Sequence, residues 1–261
     1  MQALNIAATG MLVQQMNVEV ISNNIANMNT TGFKRQRAEF QDMLYQTQRR
    51  VGSGTSSSDT VAASGIQVGA GVRAAGTYRI SEQGSVTQTG NRYDLAIDGK
   101  GYFRVRLPSG QEGYTRAGSF QLSDQGELVT AEGYTIEPGV AIPQGAIDVA
   151  ITPTGEVQAK LDGQSAFQTV GQIDLATFPN EAGLEAIGGN IVLESAASGA
   201  PNIGQPGADG FGSLSQGFVE ASNVNPVAEI TALITAQRAY EMNSRVIKAA
   251  DEMLAAANQV R

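Results

Sequence analysis

Three places in this chain carry residues whose types and spacing could do chemistry. Two are glycine pairs of the kind that open phosphate-binding loops, Gly69-Ala70-Gly71 and Gly99-Lys100-Gly101. Each fails at the third glycine: Ala74 and Arg104 stand where a GxGxxG fingerprint needs Gly, and neither pair sits in a strand–turn–helix pattern. The third place is the carboxylate pair Asp94 and Asp98, a candidate acid and base for glycoside cleavage. Four residues apart on one strand, they would share a face at roughly 13 Å, beyond the roughly 5 to 9.5 Å that such mechanisms use, so they read as turn residues. Serine chemistry lacks its usual base, because the chain has no His, and neither GxSxG nor SxxK occurs. With no Cys there are no thiol nucleophiles, thiolate metal sites or disulfides, and calcium loops of the EF-hand or nonapeptide kind are missing. The expectation is a protein that is not an enzyme and holds no cofactor or metal.

Charge and hydropathy narrow the partners. A formal charge of −8 over 261 residues works against phosphate-backbone binding, so no nucleic acid is expected. No basic residue precedes Lys34, and the run Met11-Leu12-Val13 is cut off by Gln14 and Gln15. That pattern predicts neither a cleaved signal peptide nor membrane insertion. The lack of Cys fits the cytosol and equally a protein exported unfolded.

The elements that position these residues are helices at both ends and short strands between. Leu4, Ala7, Met11, Gln14, Val18, Ile21, Ile25 and Met28 follow alternating three and four spacing, a coiled-coil seam in a first helix over residues 1 to about 29. Asn23, Asn24, Asn27 and Asn29 crowd its last turns. Two readings stand for them: amides that hydrogen-bond across a helix interface and set its register, or Asx turns at a fraying end. Gly32 is the stop. Near the other end Asn225 caps and Pro226 opens a second helix, where the missing N–H has no cost. Met242, Val246, Ala249, Met253, Ala256 and Val260 share one of its faces, which Ile247, Ala250, Leu254 and Ala257 widen. Neither helix can bury its stripe alone, so both are expected to pair with each other and with other copies. The residues expected at that assembly interface are Leu4, Met11, Val18, Ile21, Asn24, Ile25, Asn27, Met28, Ile230, Ile234, Tyr240, Met242, Val246, Ile247, Met253 and Leu254.

From Ile66 to about Phe178 turn signals recur every eight to twelve residues, the spacing of a sandwich or barrel-like β domain. The best-defined hairpin joins Leu95 and Ile97 to Phe103, Val105 and Leu107 across Asp98-Gly99-Lys100-Gly101. Residues 195–212 read as a long irregular loop. The Ser/Gly-rich stretch 51–65 reads either as a flexible linker or as a loop that orders only against neighbours in an assembly. The expected fold class is α+β: terminal helices paired in a coiled-coil-like inner domain, a central all-β domain, and an extended connecting segment. The corresponding boundaries are 1–33 plus 222–261 for the inner domain, 34–75 for the connection and 76–221 for the β domain.

The segment from Ser22 through Asn23-Asn24-Ile25-Ala26-Asn27 to Gly32-Phe33-Lys34 resembles the N-terminal signature of the bacterial flagellar rod and hook family. The stretch from Asn223 to Ala239-Tyr240-Glu241-Met242-Asn243 is similar to its C-terminal partner signature. Residues 93–103, 114–134 and 216–226 resemble the distal-rod branch in particular, and the likeness covers nearly the whole chain. Pro226 departs from that branch's usual run into helix. The resemblance implies an axial structural subunit, exported unfolded through the flagellar type III apparatus without a cleaved signal peptide and polymerised in the periplasmic part of the basal body. It implies self-association into a rigid helical tube that transmits torque, contacts with proximal rod, hook and ring (bushing) proteins, terminal helices in an inner tube and an outer β domain. Two alternatives remain open, a proximal rod or hook subunit of the same family and, from another class, a secreted glycan-binding or adhesive β protein. A β-rich hydrolase is disfavoured by the absent His and the wide carboxylates.

Overall fold

The computed structural model describes residues 2–49, 64–163 and 166–259. Most of the 51–65 stretch, and Val260, therefore lie outside the described residues. The molecule is α+β, with a helix at each end and a β-rich region between. Helix α1 (Gln2–Ala26) is 25 residues long and α2 (Pro226–Gln259) is 34, and α2 opens at the Asn225-Pro226 signal.

The chain forms two compact units. The first takes in Met1–Ile25, Gln36–Tyr78 and Pro226–Arg261. Between its helices run β1 (Gln36–Asp42), β2 (Tyr45–Arg49), β3 (Ile66–Gly69) and β4 (Val72–Arg79), with β1 paired to β4 and β2 to β3. The second unit takes in Ala26–Arg35 and Arg79–Asn225. Its strands include β5 (Val86–Gln88), β6 (Leu95–Asp98), β7 (Tyr102–Arg106) and β8 (Glu112–Thr115). The largest sheet has nine strands and is organised on β7, which pairs antiparallel with β8, with Thr135–Ile136 and with Leu175–Thr177. A three-stranded sheet runs over Ala146–Ile151, Glu156–Leu161 and Gln168–Gln172.

The inward side chains of these sheets make one core, built from Leu95, Ile97, Phe103, Phe120, Leu128, Val157, Ile173, Leu175 and Leu214 among others. Phe103 and Phe120 meet edge to face at 5.0 Å. A second cluster joins Tyr102, Tyr114 and Phe178, whose rings are also T-shaped. Alternation along β7 explains the division: Phe103 and Val105 point one way, Tyr102 and Arg104 the other.

The hairpin expected across Asp98–Gly101 does not form. Strand β6 pairs instead with Ser213–Gln216, and β7 belongs to the large sheet. Arg116 occupies the corner. Its guanidinium donates to the carbonyls of Ile97 (3.2 Å), Gly99 (2.6 Å) and Gly101 (2.5 Å), so these oxygens are held by a side chain rather than by a facing strand. Gly99 and Gly101, with φ of +112° and +137°, let the chain turn a corner there. The loop 195–212 also contains a short strand, Asn202–Gly204, paired with Leu175–Thr177.

Gly32, the expected helix stop, sits six residues beyond Ala26, where α1 ends. Its φ is +69°, its N–H donates to the Glu220 carbonyl at 2.8 Å, and a Cβ there would lie 2.6 Å from the backbone N of Ala117. Gly32→Ala therefore combines left-handed strain with a backbone clash, and should cost about 2–4 kcal/mol of β-unit stability. Urea denaturation measures it; a loss below about 1 kcal/mol would show that the segment shifts freely.

Candidate assembly interface

The two helices pack side by side and antiparallel. Asn24 Nδ2 donates to Glu229 Oε2 (3.2 Å), and a Cβ placed on Gly10 would lie 2.8 Å from Asn243 Nδ2. Moving back along α1 from Asn24 to Gly10 thus matches moving forward along α2 from Glu229 to Asn243. At Gly10 the approach is close because that residue has no side chain. Ala7, Val13, Ile21 and Asn24 are buried on α1, and Glu229, Ala236 and Ala250 on α2. Leu233, Asn243 and Ile247 continue the α2 line, half-buried.

Asn24 is 1 % exposed and does more than cross the helix pair. Its Nδ2 also donates to the Gln36 carbonyl, and its Oδ1 accepts from the Gln36 N–H, both at 2.9 Å. Asn27 serves the turn instead, accepting from the Thr30 hydroxyl at 3.1 Å. Each reading of the asparagine cluster therefore describes a different member of it.

The residues expected at the interface divide by face. Ile21 and Asn24 are buried, and Leu4, Met11, Val18, Ile25, Asn27 and Ile247 are half-buried. Met28, Ile230, Ile234, Tyr240, Met242, Val246, Met253 and Leu254 are exposed in the single chain. On α2 the sides are inverted relative to size: Ala236 is 2 % exposed, whereas Met242 is 60 % and Met253 is 67 %. Sequence reasoning ranked residues by apolar size and so passed over Val13, Gly10, Ala236 and Asn243. The available signal was Gly10, a glycine inside a helix where it costs about 1 kcal/mol unless a neighbour comes close. The helix pairing also explains Leu254. The register that sets Gly10 against Asn243 brings residue 251 level with Gln2, so Leu254, two turns after Ile247 on the same face, has no part of α1 described beside it.

Within the β unit, the segment that leaves α1 and the segment that enters α2 are tied by a buried ion triad. Lys34 Nζ lies 2.5 Å from Glu220 Oε1, and Arg116 Nε 2.5 Å from Glu220 Oε2. Glu220 is 1 % exposed and also accepts from the Gly84 N–H at 2.9 Å; Lys34 donates as well to the Glu82 carbonyl. Burial pushes the Glu220 carboxyl up, but Arg116 and Lys34 overcome it and hold the group below its ordinary value. Burial pulls Lys34 down, partly offset by its bond to Glu220. Beside the triad the Asn223 side chain accepts from the Arg35 N–H (2.7 Å) and donates to the carbonyls of Ile80 and Glu82. Sequence reasoning singled out none of Glu220, Arg116 or Asn223 as members of a cluster; the partners are too far apart in the chain.

The carboxylates weighed for catalysis do not converge. Asp94 is buried and accepts from the Thr89 hydroxyl and the Asn91 amide, a turn-forming role. Among the described residues no group of acidic side chains has metal-site geometry, and no helix is long and apolar enough to cross a membrane.

Comparison with known proteins bears directly on the terminal helices. Residues 4–34 match the family model described as flagella basal body rod protein, 96–159 that of the flagellar hook protein FlgE/F/G D1 domain, and 215–260 that of the flagellar basal body rod FlgEFG protein C-terminal region. The chain is 62 % identical to the flagellar basal-body rod protein FlgG of Caulobacter vibrioides over the whole of both chains. It is 49 % identical to FlgG of Agrobacterium fabrum, covering 97 % of each. The FlgF rod protein of Caulobacter vibrioides is more distant, at 34 % identity over 94 % of this chain and 91 % of its own. With matching helices at both ends and full-length identity of this order, the chain belongs to the flagellar basal-body rod and hook family.

Proposed function

We infer that this chain is a structural subunit of the flagellar distal rod, in the periplasmic part of the basal body, and that it assembles with copies of itself through the outer faces of its terminal helices. The observation that carries this is the inversion on α2. Ala236, Ala250 and Glu229 are already buried on its inner side, while Met242, Val246 and Met253 stand 49–67 % exposed. Fully burying one such side chain contributes about 1.5–3 kcal/mol, so a line of them drives association once neighbours are present. In this reading residues 1–33 and 222–261 make an inner tube, 34–75 connect, and 76–221 form the outer body. A sandwich-like closure of that body is supported by its core, which draws Phe103 from the large sheet, Val157 from the three-stranded sheet and Leu214 from the ribbon with β6. Proximal rod and hook subunits at the two ends, ring proteins around the outside and the export apparatus are the partners such a position requires. No catalysis is assigned to it.

The test is electron microscopy of the purified protein under polymerising conditions. Straight, stiff tubes are expected. Curved or supercoiled filaments would move the chain to a hook-like role, and a folded protein that never polymerises would sink the reading.

A further inference from the structure

The β unit contains a cavity of about 240 Å³ beside the ion triad. Its walls come from the segment after α1, from Arg79 at the end of β4 and Ser81 beyond it, from Tyr102 on β7 and Arg116, and from residues 181–192. Three cations line it or its floor, Lys34, Arg79 and Arg116. Two of them are already matched by Glu220. Arg79 is not: among the described residues no carboxylate lies within ion-pair range of its guanidinium. Glu181, the carboxylate that lines the cavity, accepts from the Tyr102 hydroxyl at 3.2 Å. Counting Glu220 with Glu181, the cluster holds three positive and two negative charges. One positive charge is left over, on a side chain that burial has partly stripped of water. The rim is open at Gly188, where a side chain would meet nothing within 4 Å.

From this geometry we propose that the Arg79 cavity is an acceptor site for a single carboxylate, supplied in the assembled state by an Asp or Glu side chain of a neighbouring copy. A half-buried guanidinium without an anion is unfavourable, and a planar carboxylate satisfies it through two parallel N–H donors. The cavity has room for a carboxylate and its stem beside the apolar surface of Phe33, Leu184 and Ile191. The source follows from composition: the chain has 25 acidic and 17 basic residues, so copies brought together present acidic side chains in excess, and a cationic socket on each relieves that repulsion. The chemistry of the site stands alone; only the source rests on self-assembly.

The experiment has two arms. In the first, monomeric protein is titrated with acetate and with glutarate while the Arg79 Nε and the backbone amides of residues 188–192 are followed by NMR, with matched chloride as control. Saturable shifts confined to these groups are expected, with a dissociation constant of order 10 mM, at least tenfold weaker in Arg79→Gln and retained in part in Arg79→Lys. Both variants are checked for unchanged melting temperature, and a third, Ser81→Ala, reads the same wall if either fails to fold. Shifts that do not saturate, that chloride reproduces, or that persist in Arg79→Gln overturn the site. In the second arm acetate binding is compared between monomer and polymer. Loss of binding in the polymer, together with a higher critical concentration for Arg79→Gln, supports occupation by a neighbour. A polymer that binds acetate as the monomer does overturns the neighbour as the source. A protein that fails to polymerise but passes the first arm defeats the assembly reading and leaves the carboxylate site standing.

Discussion

Glu220→Gln is expected to destabilise the β unit by about 3–5 kcal/mol, the largest loss from any single substitution considered for this protein. Glutamine keeps the shape of the side chain and removes its charge. Lys34 and Arg116 would then face each other across a neutral amide, in a site where Glu220 is 1 % exposed and Lys34 8 %. Two buried cations without an anion cost far more than the pair was worth in net stability, because desolvation is no longer offset. Guanidinium denaturation followed by tyrosine fluorescence gives the number. A companion triple variant, Glu220→Leu with Lys34→Met and Arg116→Leu, removes the charges together and should recover part of the loss, although Arg116 also holds the Ile97–Gly101 corner. If Glu220→Gln unfolds within about 1 kcal/mol of the parent, the triad does not hold the unit together.

The same carboxylate sets an acid dependence whose sign is fixed. Its folded-state pKa is below the ordinary value of 4.5, so the stability it contributes is fully present above that value and is lost as pH falls through the folded-state pKa. Lys34 adds nothing in that window, being protonated in both folded and unfolded chains there. The parent should therefore lose stability steeply below pH 4.5, and Glu220→Gln should lack this part of the slope.

On α2, Val246→Asp should abolish polymerisation while leaving the monomer as stable as the parent. Val246 is 49 % exposed in the single chain, so the charge stays hydrated there and the cost is within about 0.5 kcal/mol. In a polymer that buries this face, every subunit would carry an unpaired charge into an apolar contact at several kcal/mol each. Three kcal/mol at one contact already raises the critical concentration by roughly 100-fold. Ala236→Asp is the complement: at 2 % exposure it faces α1, and it should loosen the helix pair in the monomer itself. Sedimentation of polymer and far-UV circular dichroism of monomer separate the two. Normal filaments from Val246→Asp would mean that the exposed apolar face of α2 is not the one that joins copies.

The sequence by itself determined the helices at the two ends, the start of α2 at Asn225-Pro226, the β-rich middle and the family, because these depend on local signals: a cap, a period, turn residues and contiguous motifs. The lack of His and Cys removed whole classes of chemistry for the same reason, since composition needs no fold. What only the tertiary structure decided is which residues meet. A heptad pattern says that a helix has an apolar side, yet α2 carries two, one small and one large. The fold set the side with Ala236, Asn243 and Ala250 inward, Asn243 beside Gly10, and left Met242, Val246 and Met253 outside. The Asp98–Gly101 turn has the composition of a hairpin, but a side chain from position 116 took its carbonyls and made it a corner. Glu220 meets Lys34 across 186 positions of chain. No local period encodes an ion pair of that separation; it exists because folding buries the two segments together, with Arg116 on the second oxygen of the same carboxylate.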